Sequence, residues 1–183
     1  KSLKKSKQYI DNINLQITII DSGSSKGDKE KMQEILEKSK FKFNFIELNL
    51  NDYLQRIKVI KKNNTQIERN MKSTMASIIK SFEISKNFDD LIYFVEDDYI
   101  HSDDCISEML SVYEKFSTIL EDEIFIVPVD YPYLYQKNQS TNVLVGQKYH
   151  WRSVRESLLT FLTSKKMINK YYNELIKMGE IEH

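Results

Sequence analysis

The chain is poor in the residues that staple or punctuate small folds. It has one cysteine, Cys105, in 183 residues. A single thiol excludes a disulfide framework and a Cys-based zinc site, and a reducing setting, the cytoplasm, is the expected location. With only 2 prolines and 4 glycines, there is no room for a Pro/Gly-rich linker, and no internal repeat or low-complexity tract interrupts the chain. Neither sign of charge is in excess: Lys plus Arg number 27, and so do Asp plus Glu. Balanced charge gives no electrostatic case for nucleic acid as a partner. No apolar stretch approaches the roughly 20 residues that cross a bilayer. The Lys-rich start is followed by no apolar core of a signal peptide. What remains, 30% charged and 40% hydrophobic residues, fits one ordinary domain over 1–183 with a real core.

The most informative stretch is Leu91-Ile92-Tyr93-Phe94-Val95-Glu96-Asp97-Asp98-Tyr99. An apolar run rich in β-branched and aromatic residues predicts a strand buried on both faces. Such strands belong to parallel sheets, whose ligands collect beyond the strands' carboxyl ends. Three adjacent acids at such an end repel one another, so one carboxyl rises in pKa or a cation joins them. A hard divalent ion, Mg²⁺ or Mn²⁺, takes one or two carboxylates plus substrate phosphates. The residues therefore predict a metal site centred on Asp98 that grips a diphosphate. The plainer alternative is a solvated acidic turn, since Asp is common in turns.

The remainder of the chain alternates. Residues 1–12 read as a basic helix end with Leu3 and Ile10 inward. Leu15–Ile20 is a strand that runs into Asp21-Ser22-Gly23-Ser24-Ser25, a turn whose small residues allow close approach of a ligand or backbone. A helix over 28–39 follows, capped by Asp28, and then a strand over 41–48 with Phe41, Phe43 and Phe45 on one face. A helix over 65–86 carries Ile67, Met71, Met75, Ile78, Ile79 and Phe82 inward. A helix over 103–119, capped by Ser102 or Asp103, follows the acids. Ile124–Val129 is a strand near an edge, because Pro128 removes a ladder donor. Thr141–Val145 is a further strand, and helix is expected from Tyr149-His150-Trp151-Arg152 to the end. Strand–helix alternation of this kind predicts an α/β fold with a mostly parallel sheet.

Three polar clusters would lie at strand ends: Asp21 to Ser25, Glu96 to Asp98, and His150 to Arg152. Asp21 would accept hydrogen bonds from a base or ribose. Glu96 and Asp97 would reach ribose, water or the metal's outer shell. A neutral His150 offers a further metal ligand, and Arg152 or Arg155 would pair with phosphate through a bidentate fork. Each residue also has an ordinary structural reading, as a turn closer, a packed histidine or a salt-bridge residue.

These motifs carry a family resemblance. ITIIDSGSS resembles the second-strand signature of GT-A-type glycosyltransferases, and LIYFVEDDYIHSDDCISEML resembles their DxD strand with the helix behind it. The Glu-Asp-Asp version is similar to that of the N-acetylglucosaminyltransferase I group. Glu68-Arg69-Asn70 followed by Ala76 resembles the helix that leads to the DxD strand in family 2 enzymes. The resemblance covers residues 1–120. It implies a GT-A-like, Rossmann-like sheet flanked by helices, and a metal-dependent, inverting transferase that uses Mn²⁺ or Mg²⁺ and a nucleotide-sugar donor, with a UDP-sugar favoured. The acceptor, whether glycan, lipid or protein, is open. Asp21, Ser22, Gly23, Asn70, Glu96, Asp97 and Arg152 would contact the donor, and Asp98 and His150 would hold the metal. Asp130 and Glu156 are the candidates for the base that an inverting reaction requires.

The chain departs from the family pattern in two places. Family members begin with an additional strand that lines the nucleotide pocket, and this chain is expected to start after it. The downstream acidic base motif is not evident. Two other classes therefore stand beside the transferase. One is a nucleotidyltransferase, which would carry a Gly-rich basic loop. The other is a degenerate domain that binds nucleotide or a partner without turnover.

Overall fold

The computed structural model describes residues 2, 13–39, 41–59, 64–136, 138 and 140–182. The basic helix end expected around Leu3 and Ile10 lies outside the described residues. In chain order the elements are β1 (Gln16–Asp21), α1 (Lys26–Ser39), β2 (Lys42–Glu47), α2 (Thr65–Ser85), β3 (Leu91–Phe94) and α3 (Cys105–Leu120). After these come β4 (Val143–Val145), β5 (His150–Arg152), β6 (Phe161–Ser164), and three short helices, α4 (Lys165–Lys170), α5 (Tyr172–Leu175) and α6 (Lys177–Glu180). Single 3₁₀ turns occupy Leu50–Asp52 and Pro132–Gln136. The fold is mixed α/β. The residues group into two compact units, one of Asn14–Phe88 with Ile168–His183, the other built on Asp89–Met167.

In the first unit β1 and β2 pair in parallel, from Gln16↔Lys42 to Asp21↔Glu47. Parallel neighbours need a crossover, and α1 supplies it. The alternation of β2 leaves Phe43 and Phe45 partly buried and Lys42 and Asn44 exposed, as a half-buried strand requires. α2 starts at Asn64, whose side chain accepts from the amides of Gln66 at 3.0 Å and Ile67 at 3.3 Å. This satisfies two of the four donors that a helix start leaves unpaired. Its buried face is Met75, Ala76, Ile79, Phe82 and Ser85. Ile67, expected inward, is 48% exposed and lines an open apolar cavity with Met71 and Met178. Arg56 then joins three segments: Nη1 lies 2.6 Å from Glu83 of α2, and Nη2 lies 3.0 Å from Glu180 of α6.

In the second unit β3 pairs antiparallel with β6, from Leu91↔Ser164 to Phe94↔Phe161. Ile126 bridges Leu162 from the opposite side, with both N–H···O distances at 2.8 Å. Leu162 therefore sits between Tyr93 and Ile126. α3 contributes Ile106, Met109, Val112, Tyr113 and Phe116 to the core of this unit, each worth about 1.5–3 kcal/mol where fully buried. Its C-terminus closes on Glu121, in the left-handed region at φ 53°, whose amide reaches the carbonyls of Ser117 and Thr118. β4 and β5 form a hairpin with Val143↔Arg152, Leu144↔Trp151 and Val145↔His150 in register.

Several boundaries differ from the sequence expectation. The sheets are small, two strands each, and among the described strands parallel pairing is confined to β1 and β2. Ile124–Val129 makes only the bridge at Ile126, because Pro128 has no N–H to extend the ladder. The end of the chain is not all helix: Phe161–Ser164 is a buried strand. Four residues are too short a run for periodicity to separate strand from helix. α1 begins before Asp28, because the Ser25 hydroxyl accepts from the Asp28 amide at 3.2 Å and takes the capping role.

Candidate functional site

The turn after β1 is built by Asp21. Its carboxylate is buried and accepts from the amide of Gly23 at 3.4 Å and that of Ser24 at 3.2 Å. Lys29 of α1 lies 3.4 Å from Asp21 and 3.1 Å from Glu47, so one ammonium serves both strand ends. Burial pushes the Asp21 carboxyl upward, but Ser24, Gly23 and Lys29 outweigh it and hold it below the usual carboxylate range. Gly23 takes φ +132°, a backbone conformation open to glycine and costly for other residues. The turn therefore depends on both residues. Asp21 itself is consumed by the turn, and Ser22 is what the turn presents.

Ser22 opens onto a cavity of about 610 Å³ beyond the carboxyl ends of β1 and β2. Asn49 and Asn51 line it from the β2 side, and Glu68, Arg69, Lys72 and Ser73 from α2. The Ser73 hydroxyl donates to the Ser22 carbonyl at 3.1 Å and ties the turn to the helix. Lys72 is engaged by Glu68, whereas Arg69 forms no ion pair among the described residues. The lining mixes these polar groups, the Arg69 guanidinium included, with Leu48, Leu50 and Leu54. Asn70 does not join it. Its side chain accepts from Gln66 at 2.8 Å and faces a second, more apolar cavity of about 380 Å³ lined by Met71, Met75 and Met178. Residues 68, 69, 72 and 73 share one face of α2, and residues 67, 70, 71 and 74 another, as helical spacing dictates.

The acids occupy the second unit. Ordered pairing of β3 ends at Phe94, and Glu96, Asp97 and Asp98 are exposed in the turn that follows. Partial loss of hydration lifts the Glu96 carboxyl above its ordinary range, and Asp98 and then Asp97 add to it by repulsion. Tyr99 and Tyr131 lie beside the acids with hydroxyls 3.0 Å apart. The Tyr131 phenol is driven up, first by burial, then by Tyr99 and Glu96. Cys105, at the start of α3, is pushed up to about 11 by burial and by Asp104, so its thiol is a poor nucleophile.

The β4–β5 hairpin carries His150 and Arg152. His150 is exposed. Arg152 is committed to Asp130 through Nη2 at 2.7 Å and Nε at 3.2 Å. The Tyr135 hydroxyl also donates to Asp130, and the Arg152 guanidinium lies 4.2 Å above the Tyr135 ring. Thus two expected site residues, the candidate base Asp130 and the candidate phosphate ligand Arg152, are brought together, but as partners of each other. Glu156, the other candidate base, is exposed in the irregular segment between β5 and β6, as is Arg155.

Among the described residues no group of three or more His, Cys, Asp or Glu side chains is arranged to enclose a metal ion. A divalent charge would relieve the repulsion that lifts Glu96, and Mg²⁺ takes few protein carboxylates when phosphate oxygens and water complete its shell.

One buried polar feature escaped the sequence reading. Glu108 of α3 is 2% exposed. It accepts from the amides of Gln147 at 3.1 Å and Lys148 at 3.0 Å, and from the Trp151 indole at 3.0 Å. The signal was present: position 108 falls in line with Val112 and Phe116 at helical spacing, on the face that packs inward.

Compared with known proteins, the chain matches no family model, no curated protein and no solved structure. No helix among the described residues is long and apolar enough to cross a membrane.

Proposed function

We propose that the chain is a GT-A-like, metal-dependent glycosyltransferase domain that takes a nucleotide-sugar, with a UDP-sugar favoured, and passes the sugar to a glycan, lipid or protein acceptor. The observation that carries this reading is the cavity beyond β1 and β2, lined by both polar and leucine side chains. Ligands of α/β units collect beyond the carboxyl ends of parallel strands, and a volume of about 610 Å³ falls within the range of small-molecule sites. Ser22 and the Asn49 and Asn51 side would face the nucleoside, and Arg69 supplies positive charge. Within the other unit, Asp98, with Asp97 and Glu96, would hold Mn²⁺ or Mg²⁺, and His150 would be a further nitrogen donor. The cation, when bound, neutralises charge on the leaving diphosphate. Asp130 or Glu156 would take the acceptor's proton.

A second reading, nucleotide binding without turnover, is favoured by one observation. Asp130 is held below the usual carboxylate range, because Tyr135 and Arg152 outweigh the effect of burial. A carboxylate so held is a weak base.

Calorimetric titration with UDP and then GDP, each with and without Mn²⁺, tests the proposal. Metal-dependent binding of one nucleotide supports the donor site and names its base. Binding of neither, with or without metal, overturns the transferase reading. Sugar release from the matching nucleotide-sugar then separates turnover from binding alone.

A further inference from the structure

A carboxylate buried in a core, with no ion pair among the described residues, calls for an explanation, since dehydrating a charge is costly unless hydrogen bonds replace its water. Glu108 has them. The turn that joins β4 to β5 wraps its backbone around the carboxylate. Oε1 accepts from the Gln147 amide at 3.1 Å and the Tyr149 amide at 3.4 Å, and Oε2 from the Lys148 amide at 3.0 Å. The Trp151 indole donates to Oε1 at 3.0 Å. Consecutive amides converging on one anion form a concave cradle of the kind that binds phosphates. Here the anion belongs to the protein. Gly146 leaves the space: a Cβ there would clash with Glu108 Oε1 and fall 2.7 Å from Trp151 Nε1.

Two further contacts grip the same hairpin. Lys148 Nζ lies 3.0 Å from Asp104, and Lys115 Nζ donates to the Val145 carbonyl at 2.7 Å. All three anchors, Asp104, Glu108 and Lys115, come from α3 or its N-cap. The hairpin has only two strands, which is too few to hold its shape alone in water. Its geometry is therefore set by α3. Register places Val143, Val145, His150 and Arg152 on one face, and Leu144 and Trp151 on the other. The anchored Trp151 fixes the direction in which its neighbours His150 and Arg152 point.

We propose that Glu108 is a positioning residue. It latches the β4–β5 hairpin onto α3 and thereby sets where His150 and Arg152 meet the metal and the phosphates. The positioning role rests on the transferase reading; the latch does not.

Trp151 is the only tryptophan of the chain, so its fluorescence reports the latch directly. The test compares the full chain with Glu108→Gln and Gly146→Ala, using Trp151 emission, acrylamide quenching and titration with UDP and GDP, each with and without Mn²⁺. Glu108→Gln keeps the volume but replaces one acceptor with a donor that faces other donors. Gly146→Ala leaves Glu108 in place and displaces the turn, so it carries the test if Glu108→Gln does not fold. The expected result in a folded variant is red-shifted emission and stronger quenching. Metal-dependent nucleotide affinity should fall about tenfold or more, with a smaller fall in affinity without metal, since Arg152 meets the phosphates directly. Unaltered emission and quenching in both variants would overturn the latch. Altered emission with unaltered metal-dependent affinity would overturn the positioning role and leave the transferase reading standing. Failure of the unsubstituted chain to bind either nucleotide would overturn the transferase reading and the positioning role with it, while the emission result would still decide the latch.

Discussion

Arg152 and Asp130 are joined by a two-point contact in which Nη2 and Nε of the guanidinium lie 2.7 and 3.2 Å from a single carboxylate oxygen. The pair closes on Tyr135, whose hydroxyl donates to Asp130 and whose ring lies beneath the guanidinium. The carboxylate of Asp130 is 53% exposed, and solvent screens an exposed ion pair. The pair therefore organises the surface more than it stabilises the fold. Arg152→Ala is expected to lower the thermal midpoint by no more than about 4 °C. On the transferase reading, the same variant should lose about tenfold in affinity for a nucleoside diphosphate with Mn²⁺ and little for the nucleoside alone. Equal loss for both ligands would remove Arg152 from the phosphate-binding role.

Asp98 is exposed in the turn after β3, and an exposed carboxylate contributes little packing. Asp98→Asn keeps the shape and removes the charge. Circular dichroism and the thermal midpoint should match the parent protein, with a change in stability within about 0.5 kcal/mol. Mn²⁺-dependent nucleotide binding should be abolished. Unchanged metal-dependent binding in that variant would sink the assignment of the metal to Asp98 and return the acids to a solvated turn.

Glu96 gives a test that needs no substitution. Its folded pKa is raised by loss of hydration and by Asp98 and Asp97. A raised carboxyl contributes fully to stability below its ordinary value of 4.5. That contribution is lost as pH rises through the folded value. At neutral pH the cluster is thus under repulsion, which a divalent cation relieves. Addition of Mn²⁺ should raise the thermal midpoint more at about pH 7.5 than at about pH 4.5. An increment of the same size at both values would show that the cation binds elsewhere.

The sequence was most readable where structure is local. The strand–turn of Ile17–Ser25 and the helix of Thr65–Ser85 lie where their residue patterns place them, whereas the apolar run into the acids forms a strand that is only partly buried and pairs antiparallel, not parallel as expected. The partner of β3 was not readable, because β6 lies about seventy residues further on and nothing in the local pattern encodes that pairing. The candidate site divides in the same way. That Asp21 closes a turn follows from its neighbours Ser22 and Gly23. That Arg152 would choose Asp130, 22 positions away, follows only from how the hairpin meets the Tyr131–Tyr135 segment. Glu108 shows the limit most clearly: helical spacing puts it on the inward face with Val112 and Phe116, but nothing local names the donors of another segment that surround it.

The turn of Asp21 should announce itself at low pH. Its carboxyl is held below the ordinary value of 3.8 by Ser24, Gly23 and Lys29, against the opposing effect of burial. The stabilisation is fully present above that value and is lost as pH falls through the folded pKa. Asp21→Asn retains an acceptor for the Ser24 amide but loses the attraction of Lys29, so a cost of about 1 kcal/mol is expected near neutral pH. In urea unfolding followed from about pH 6 down to about pH 2, the variant should lose less stability than the parent protein. Parallel acid limbs for the two proteins would show that Asp21 titrates with its ordinary pKa and that the turn does not depend on its charge.

Thr160, immediately before β6, carries a polar atom that the fold does not use. The residue is fully buried, and its Oγ1 has no hydrogen-bond partner among the described residues. A buried hydroxyl without a partner costs about 1–3 kcal/mol relative to water. Valine has nearly the same shape, is also β-branched and suits the extended backbone that leads into Phe161. Thr160→Val should therefore stabilise the protein by about 1 kcal/mol and raise the thermal midpoint by about 2–4 °C. Thr160→Ser keeps the hydroxyl and deletes the methyl, so it should destabilise by about 1 kcal/mol. The two variants change the same site in opposite directions, which separates the effect of the hydroxyl from that of packing. A loss of stability in Thr160→Val as large as that in Thr160→Ser would mean that the hydroxyl is hydrogen-bonded in solution and that the packing around β6 differs from that described.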